Sequence, residues 1–208
     1  EDATHIDFLI SGSNNEYLDL NDTLLYVRFR VVTADGKNLT VDAPVTTSNL
    51  LLNALFKDVK LSINQTVTEG GNQMYAYKST IEDIFGFNSD AKLHQLEARG
   101  FDTSEDDRNK KIQASRQCEL MGSLRLDFFN QPKYLLPGLD VKISLIRNSD
   151  SFALMKGNGH PKIQLLQTKL YVRRVKCNPS VLQGHSVGLL KRNAIYPFTR
   201  SNVVSYSI

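Results

Sequence analysis

The amino-acid sequence predicts an all-β fold, an eight-stranded sandwich with short helical insertions. Three observations carry that expectation. Apolar and polar residues alternate over many short runs, the period of strands that bury one face and wet the other. Turn-forming pairs punctuate the runs, Pro137-Gly138 foremost, with the fixed φ and the permissive φ that the central positions of a type II turn require. Helical spacing is confined to the long excursions between runs, so consecutive strands need not be neighbours.

The extended runs fall at approximately 5–11, 17–20, 24–33, 58–68, 117–128, 139–147, 162–176 and 194–206. Within 24–33, Leu25, Val27, Phe29 and Val31 take one parity and Tyr26, Arg28 and Arg30 the other; within 58–68, Val59, Leu61 and Ile63 alternate with Lys60, Ser62 and Asn64. On either side of Pro137-Gly138, Leu120, Leu124, Leu126 and Phe128 share a parity, as do Leu139, Val141, Ile143 and Leu145. These two runs are expected in neighbouring strands, with Leu126, Phe128, Val141, Ile143 and Leu145 in the core. Among the excursions, Ser48 or Asn49 caps a short helix through Phe56, and Tyr75 to Phe85 places Ile81, Ile84 and Phe85 on one helical face. Asn178-Pro179 is an N-cap with proline at N1, opening a helix through Lys191 whose buried stripe is Val181, Leu182, His185 and Leu189. Residues 102–111, DTSEDDRNKK, contain no apolar side chain and read as a surface loop, and Gly157-Asn158-Gly159 reads as a hairpin tip.

Composition excludes several classes. With 208 residues, 41% of them hydrophobic and 23% charged, the chain suits one large folded domain or two small ones. No apolar run approaches the roughly 20 residues that span a bilayer, and the N-terminus carries no signal-peptide pattern, so membrane insertion is not expected. Cys118 and Cys177 read as two reduced thiols of an intracellular protein. The net charge of +3 is unevenly spread: from Ser151 onward there are nine Lys and Arg and no Asp or Glu, which leaves 16 basic against 22 acidic residues before it. Arg173, Arg174, Lys176, Lys191 and Arg192 are therefore the candidate basic contact surface, for a polyanion such as DNA or an acidic neighbouring surface.

Catalytic constellations are not evident. His5, His94, His160 and His185 have no metal-ligand spacing among themselves or with the cysteines, and neither a zinc motif nor a phosphate-binding glycine loop is present. No catalytic, cofactor-binding or metal residue is assigned, and no cofactor is expected.

One resemblance covers nearly the whole chain in consistent order. Met121-Gly122, Leu126-Asp127-Phe128-Phe129, Gln131, Leu135-Leu136, Gly138, Asp140, Leu145-Ile146-Arg147 and Ser151-Phe152-Ala153-Leu154-Met155 are joined upstream by Tyr17-Leu18-Asp19-Leu20 and Ser48-Asn49, and downstream by Val172-Arg173-Arg174-Val175, His185 and Tyr196-Pro197-Phe198 with Arg200. This pattern resembles the major capsid protein of Polinton (Maverick) elements and adintoviruses. The resemblance implies a jelly roll, the first of two in tandem, in a virion protein whose homotrimers form capsomers of an icosahedral shell and meet neighbouring capsomers and penton or minor capsid proteins. Residues 1–208 would be that single jelly-roll domain, made inside the host cell before assembly. A single jelly-roll penton or minor capsid protein, a jelly-roll carbohydrate-binding module, which the absence of tryptophan weakens, and a sandwich-type hydrolase, which would require histidines or carboxylates converging on one sheet face, are the alternative readings.

Overall fold

The computed structural model describes residues 4–155 and 159–206, so Gly157 and Asn158 of the expected Gly157-Asn158-Gly159 tip lie outside the described residues. Strands β1 (His5–Ile10), β7 (Val141–Arg147), β4 (Phe56–Ile63) and β5 (Thr66–Glu69) lie in that order in one antiparallel sheet. Strands β6 (Cys118–Ser123), β2 (Glu16–Val32) and β9 (Lys162–Lys176) form the second, and β3 (Thr46–Thr47) pairs with β8 (Leu154–Met155). Apart from the β4–β5 hairpin, every connection passes from one ladder to another, the winding of a jelly-roll sandwich. The strands thus form ladders of four, three and two where eight runs were expected.

Alternation explains the core. Ile10, Val59, Leu61, Val141, Ile143 and Leu145 of the first sheet pack with Leu25, Val27, Phe29, Val31, Leu120 and Ile163 of the second in one apolar cluster. Leu126 and Phe128 join it, so all five residues expected in the core are buried. The runs 17–20 and 24–33 are a single strand, β2, interrupted by a bulge: Asp19 opposes Arg173 and Leu24 opposes Tyr171. The extra residues reset the parity, which is why Leu18 and Leu20 share the core with odd-numbered Leu25 and Val27.

The segment around Pro137-Gly138 differs from expectation. β6 and β7 lie in different sheets, so residues 124–140 are an inter-sheet crossing and not a hairpin. Gly138 adopts φ +81°, as a type II turn requires. Its N–H donates to the Ser13 carbonyl at 3.0 Å, Asp140 Oδ1 accepts from Gly12 N at 2.9 Å, and Asp140 N donates to Asn64 Oδ1 at 3.0 Å. A side chain at Gly12 would sit 2.6 Å from the Gly138 carbonyl carbon, so the two loops meet only because Gly12 has no Cβ.

The helices are α1 (Leu51–Ala54), α2 (Tyr75–Gly86), α3 (Ser89–His94), α4 (Glu105–Ile112), α5 (Asp150–Ala153) and α6 (Pro179–Leu189). α4 replaces the loop expected at 102–111. Ser104 caps it by accepting from Asp107 N, acids fill its first turn and Lys110 and Lys111 its last, so end effects make a helix that apolar spacing does not announce. Arg108 and Asn109 then tie it to the carbonyls of Thr47 and Ala43. Residues 194–206 form no strand; they run as a strap across the sandwich. Lys133 Nζ donates to the Ile195 carbonyl at 2.8 Å, Tyr196 Oη accepts from Leu136 N at 3.0 Å, and Phe198 sets its edge on Phe128, with centroids 5.3 Å apart.

Candidate functional site

Among the described residues, no three His, Cys, Asp or Glu side chains come together as a metal site. His5 contacts Asp7 at 2.8 Å, His94 ends α3 and His160 lies in the connection before β9. Cys118 and Cys177 are free thiols. His185 pairs its Nδ1 with the Tyr17 hydroxyl at 2.6 Å. The buried stripe expected on α6 is not there: the helix has no buried residue, and His185 is exposed apart from its tyrosine contact.

The basic set divides in two. Antiparallel pairing of β9 with β2 brings Arg173 to Asp22 and Asp19, and Arg174 and Lys176 to Glu16 at 3.2 and 3.7 Å. The strand register thus supplies from within the chain the acidic partner that the sequence leaves open. Lys191 and Arg192 follow α6 on the exposed surface, with Arg192 at the rim of a cleft.

A buried charged joint, not foreseen from the sequence, connects α2 to the inter-sheet crossing. Lys78 Nζ lies 2.8 Å from Asp127 and 3.1 Å from Glu69, and Glu69 accepts from the backbone N–H groups of Asp127 and Phe128 at 2.7 and 2.9 Å. Burial pulls the Lys78 pKa down, but Asp127 and Glu69 outweigh it and hold the value above that of an ordinary lysine. Burial pushes the neighbouring Glu82 upward. Further along α2, fully buried Asp83 meets Arg99 at 2.9 Å and Arg125 at 2.6 Å, and Asn53 bridges Asp83 and Arg99. A Cβ at Gly122 would stand 2.6 Å from an Arg99 guanidinium nitrogen, so the bare backbone of Met121-Gly122 leaves room for this group. Partners so far apart in sequence leave no local signal; only the fold, which gathers Glu69, Glu82 and Asp127 around Lys78, reveals the joint.

α2 buries Tyr75 and Ala76 in its first turn together with Lys78, Ser79 and Asp83, and carries its remaining apolar residues outward. Tyr77, Ile81, Ile84 and Phe85 form an exposed stripe at i, i+4, i+7 and i+8, and Phe85 is 84% exposed. α6 and the residues after it are similar: Val181, Val187, Leu189 and Ile195 are exposed, and Leu190 is 87% so. Between α6, the loop 132–136 and the strap lies a cleft of about 600 Å³ lined by Tyr17, Leu136, Gly184, His185, Gly188, Leu189 and Tyr196. Nothing lies within 4 Å of where a Cβ would stand at Gly184 or Gly188, so both helix positions open onto empty space. No helix among the described residues is long and apolar enough to cross a membrane.

No family model matches the chain. An uncharacterized protein of Caenorhabditis elegans is 24% identical over 221 aligned positions, which cover 97% of this chain and 52% of that protein; the chain spans about half the length of this curated relative. Among solved structures, PBCV-1 VP54 fitted into a reconstruction of the virophage Sputnik aligns at 16% identity and TM-score 0.45, covering 86% of this chain and 44% of the other. A quasi-atomic PBCV-1 virus capsid aligns at 16% identity and TM-score 0.40, over 81% and 43%.

Proposed function

We propose that the chain is a structural capsid protein, a jelly-roll block that builds an icosahedral shell through trimeric capsomers and performs no chemical turnover. The observation that carries the reading is the outward apolar surface of α2 and α6 on a sandwich whose core is already closed. The largest apolar patch that a protein leaves in water is often a functional surface, and two such helices stand out here. Residues that carry the resemblance support it by their placement: Asp127, Phe128, Gly138, Asp140 and Tyr196 hold the inter-sheet crossing and the strap, so the resembling positions build the block itself.

The half-length match leaves room in the nematode relative for a second domain of similar size, as the tandem reading of one jelly roll beside another requires. In this reading the subunit is of the Polinton or adintovirus type, resides in the virion after its synthesis in the host cell, and has neighbouring capsomers and penton or minor capsid proteins as partners. Its basic contact surface is led by Lys191 and Arg192, since Arg173, Arg174 and Lys176 are engaged by β2 carboxylates; those two would also make non-specific contact with packaged DNA. The test is electron microscopy and sedimentation of the protein expressed in its full reading frame. Threefold capsomers or shells are expected, and a monomer at all concentrations and salts without particles would overturn the reading.

A further inference from the structure

We infer that the cleft beneath α6 binds one free single-chain carboxylate, an anionic amphiphile whose apolar chain lies along the cleft wall and whose head meets the basic rim. The site is built by one copy alone, so it stands whether or not the capsid reading does. Leu136, Leu189, Ile195, Tyr17 and Tyr196 make the apolar wall, and Tyr17 is only 3% exposed. Lys133, His185 and Arg192 bring nitrogen groups to the same cleft, and no Asp or Glu lines it. Its volume of about 600 Å³ lies inside the about 300–1,000 Å³ of pockets that take one small molecule, so a single chain fits and the flat surface of a bilayer does not.

The cations of the cleft have no acidic partner. Lys133 Nζ donates to the Ile195 carbonyl at 2.8 Å, a neutral acceptor that leaves the ammonium charge uncompensated. No carboxylate among the described residues pairs with Arg192. Tyr196 Oη accepts from Leu136 N at 3.0 Å, and its own O–H finds no acceptor among the described residues. A carboxylate answers these groups through charge-assisted hydrogen bonds, which are roughly twice as strong as neutral ones, while a cationic or neutral head does not. The carbonyl end of α6 would oppose an anion. There the backbone N–H groups of Lys191 and Arg192 both donate to the Gly188 carbonyl at 3.0 Å, and their side chains place positive charge at that end.

Gly184 and Gly188 also line the cleft. Both lie inside the helix, have no positive φ and would meet nothing if they carried a Cβ. Glycine weakens a helix interior, and neither residue relieves a contact within the chain; their bare backbone keeps the cleft wide. α6 has no buried residue, and among the described residues the Tyr17–His185 pair is its one side-chain hydrogen bond to the sandwich. A chain held between α6 and the strap would cover Leu189, which is 45% exposed, and fasten the helix.

Calorimetry with decanoate, kept below its micelle concentration, tests the site. Saturable one-to-one binding is expected, with decyltrimethylammonium at least about tenfold weaker, the factor that one charge-assisted hydrogen bond supplies. Exchange of the 181–190 amides should slow as decanoate saturates the protein. Gly188→Phe fills the cleft and should abolish binding, and Leu189→Glu sets an acid in its wall and should weaken binding at least about tenfold. Both positions are open to solvent, so each variant should melt as the parent does. No saturable binding, equal affinity for the ammonium compound, or parental affinity in the Leu189→Glu variant would overturn the inference. A one-to-one complex that leaves the 181–190 amides unprotected would place the ligand elsewhere and overturn it too. Phosphatidylglycerol vesicles present an anionic amphiphile as a bilayer and should not be bound; binding to them without binding to decanoate would replace the cleft with a membrane-facing surface.

Discussion

Lys78 occupies a position from which a lysine is usually excluded, with its ammonium group among Asp127, Glu69 and Glu82 and its side chain 9% exposed. Removing a single member of such a group strands opposite charges without water. Lys78→Ala is therefore expected to destabilise the fold by about 3–5 kcal/mol, the range for breaking a buried ion pair. Denaturant titration checks this, and a loss under about 1 kcal/mol would show that water reaches the carboxylates. The raised Lys78 pKa fixes the sign with pH: its contribution is complete below the unfolded lysine value near 10.4 and fades as pH climbs through the higher folded value.

Strands were legible in the sequence wherever one face is buried, because a single-residue slip would expose the whole apolar set; β2, β4 and β7 follow from their parity, but the run 58–68 is not one strand, since Asn64 and Gln65 take positive φ and turn it back as the β4–β5 hairpin. The bulge at 20–23 divided one strand into two apparent runs because parity reverses there. α4 stayed hidden because capping and charge placement build it, and the strap 194–206 read as a strand because extended backbone held by side chains has the composition of a ladder. For α2 the periodicity gave the helix correctly, but period cannot tell which face is covered: Ile81, Ile84 and Phe85 face solvent while the charged side packs inward. At the edge of the first sheet, β1 illustrates control by charge. Asp7 is held down from 3.8 to about 2 by Lys142 first, then Ser144 and His5. A depressed carboxylate stabilises above its unfolded pKa and loses that contribution as pH falls through the folded one. The parent should thus lose melting temperature between about pH 4 and about pH 2 more steeply than Asp7→Asn, the two curves converging at the acid end. Parallel curves over that window would remove Asp7 from the account of the β1 edge.

Across the whole molecule, the sequence separates charge that the fold partly brings together. The 15-residue strand β9 returns along β2 and lays Arg173, Arg174 and Lys176 over Asp19, Asp22 and Glu16, so much of the basic excess after Ser151 is answered within the chain. Lys191 and Arg192 lie past this ladder, exposed beyond the end of α6. The two groups should consequently fail in different assays. Replacing Arg173, Arg174 and Lys176 together with glutamine should lower the melting temperature at low salt, with the deficit closing as salt rises, because these pairs are exposed and screening already weakens them in the parent. Association should change little. Replacing Lys191 and Arg192 with glutamine should leave melting unchanged and weaken association, most at low salt, where attraction to an acidic neighbour reaches farthest. Calorimetry and sedimentation on the two variants over the same salt series separate these roles. Loss of association in the triple variant at parental stability would move the contact from the end of α6 to the face of β9.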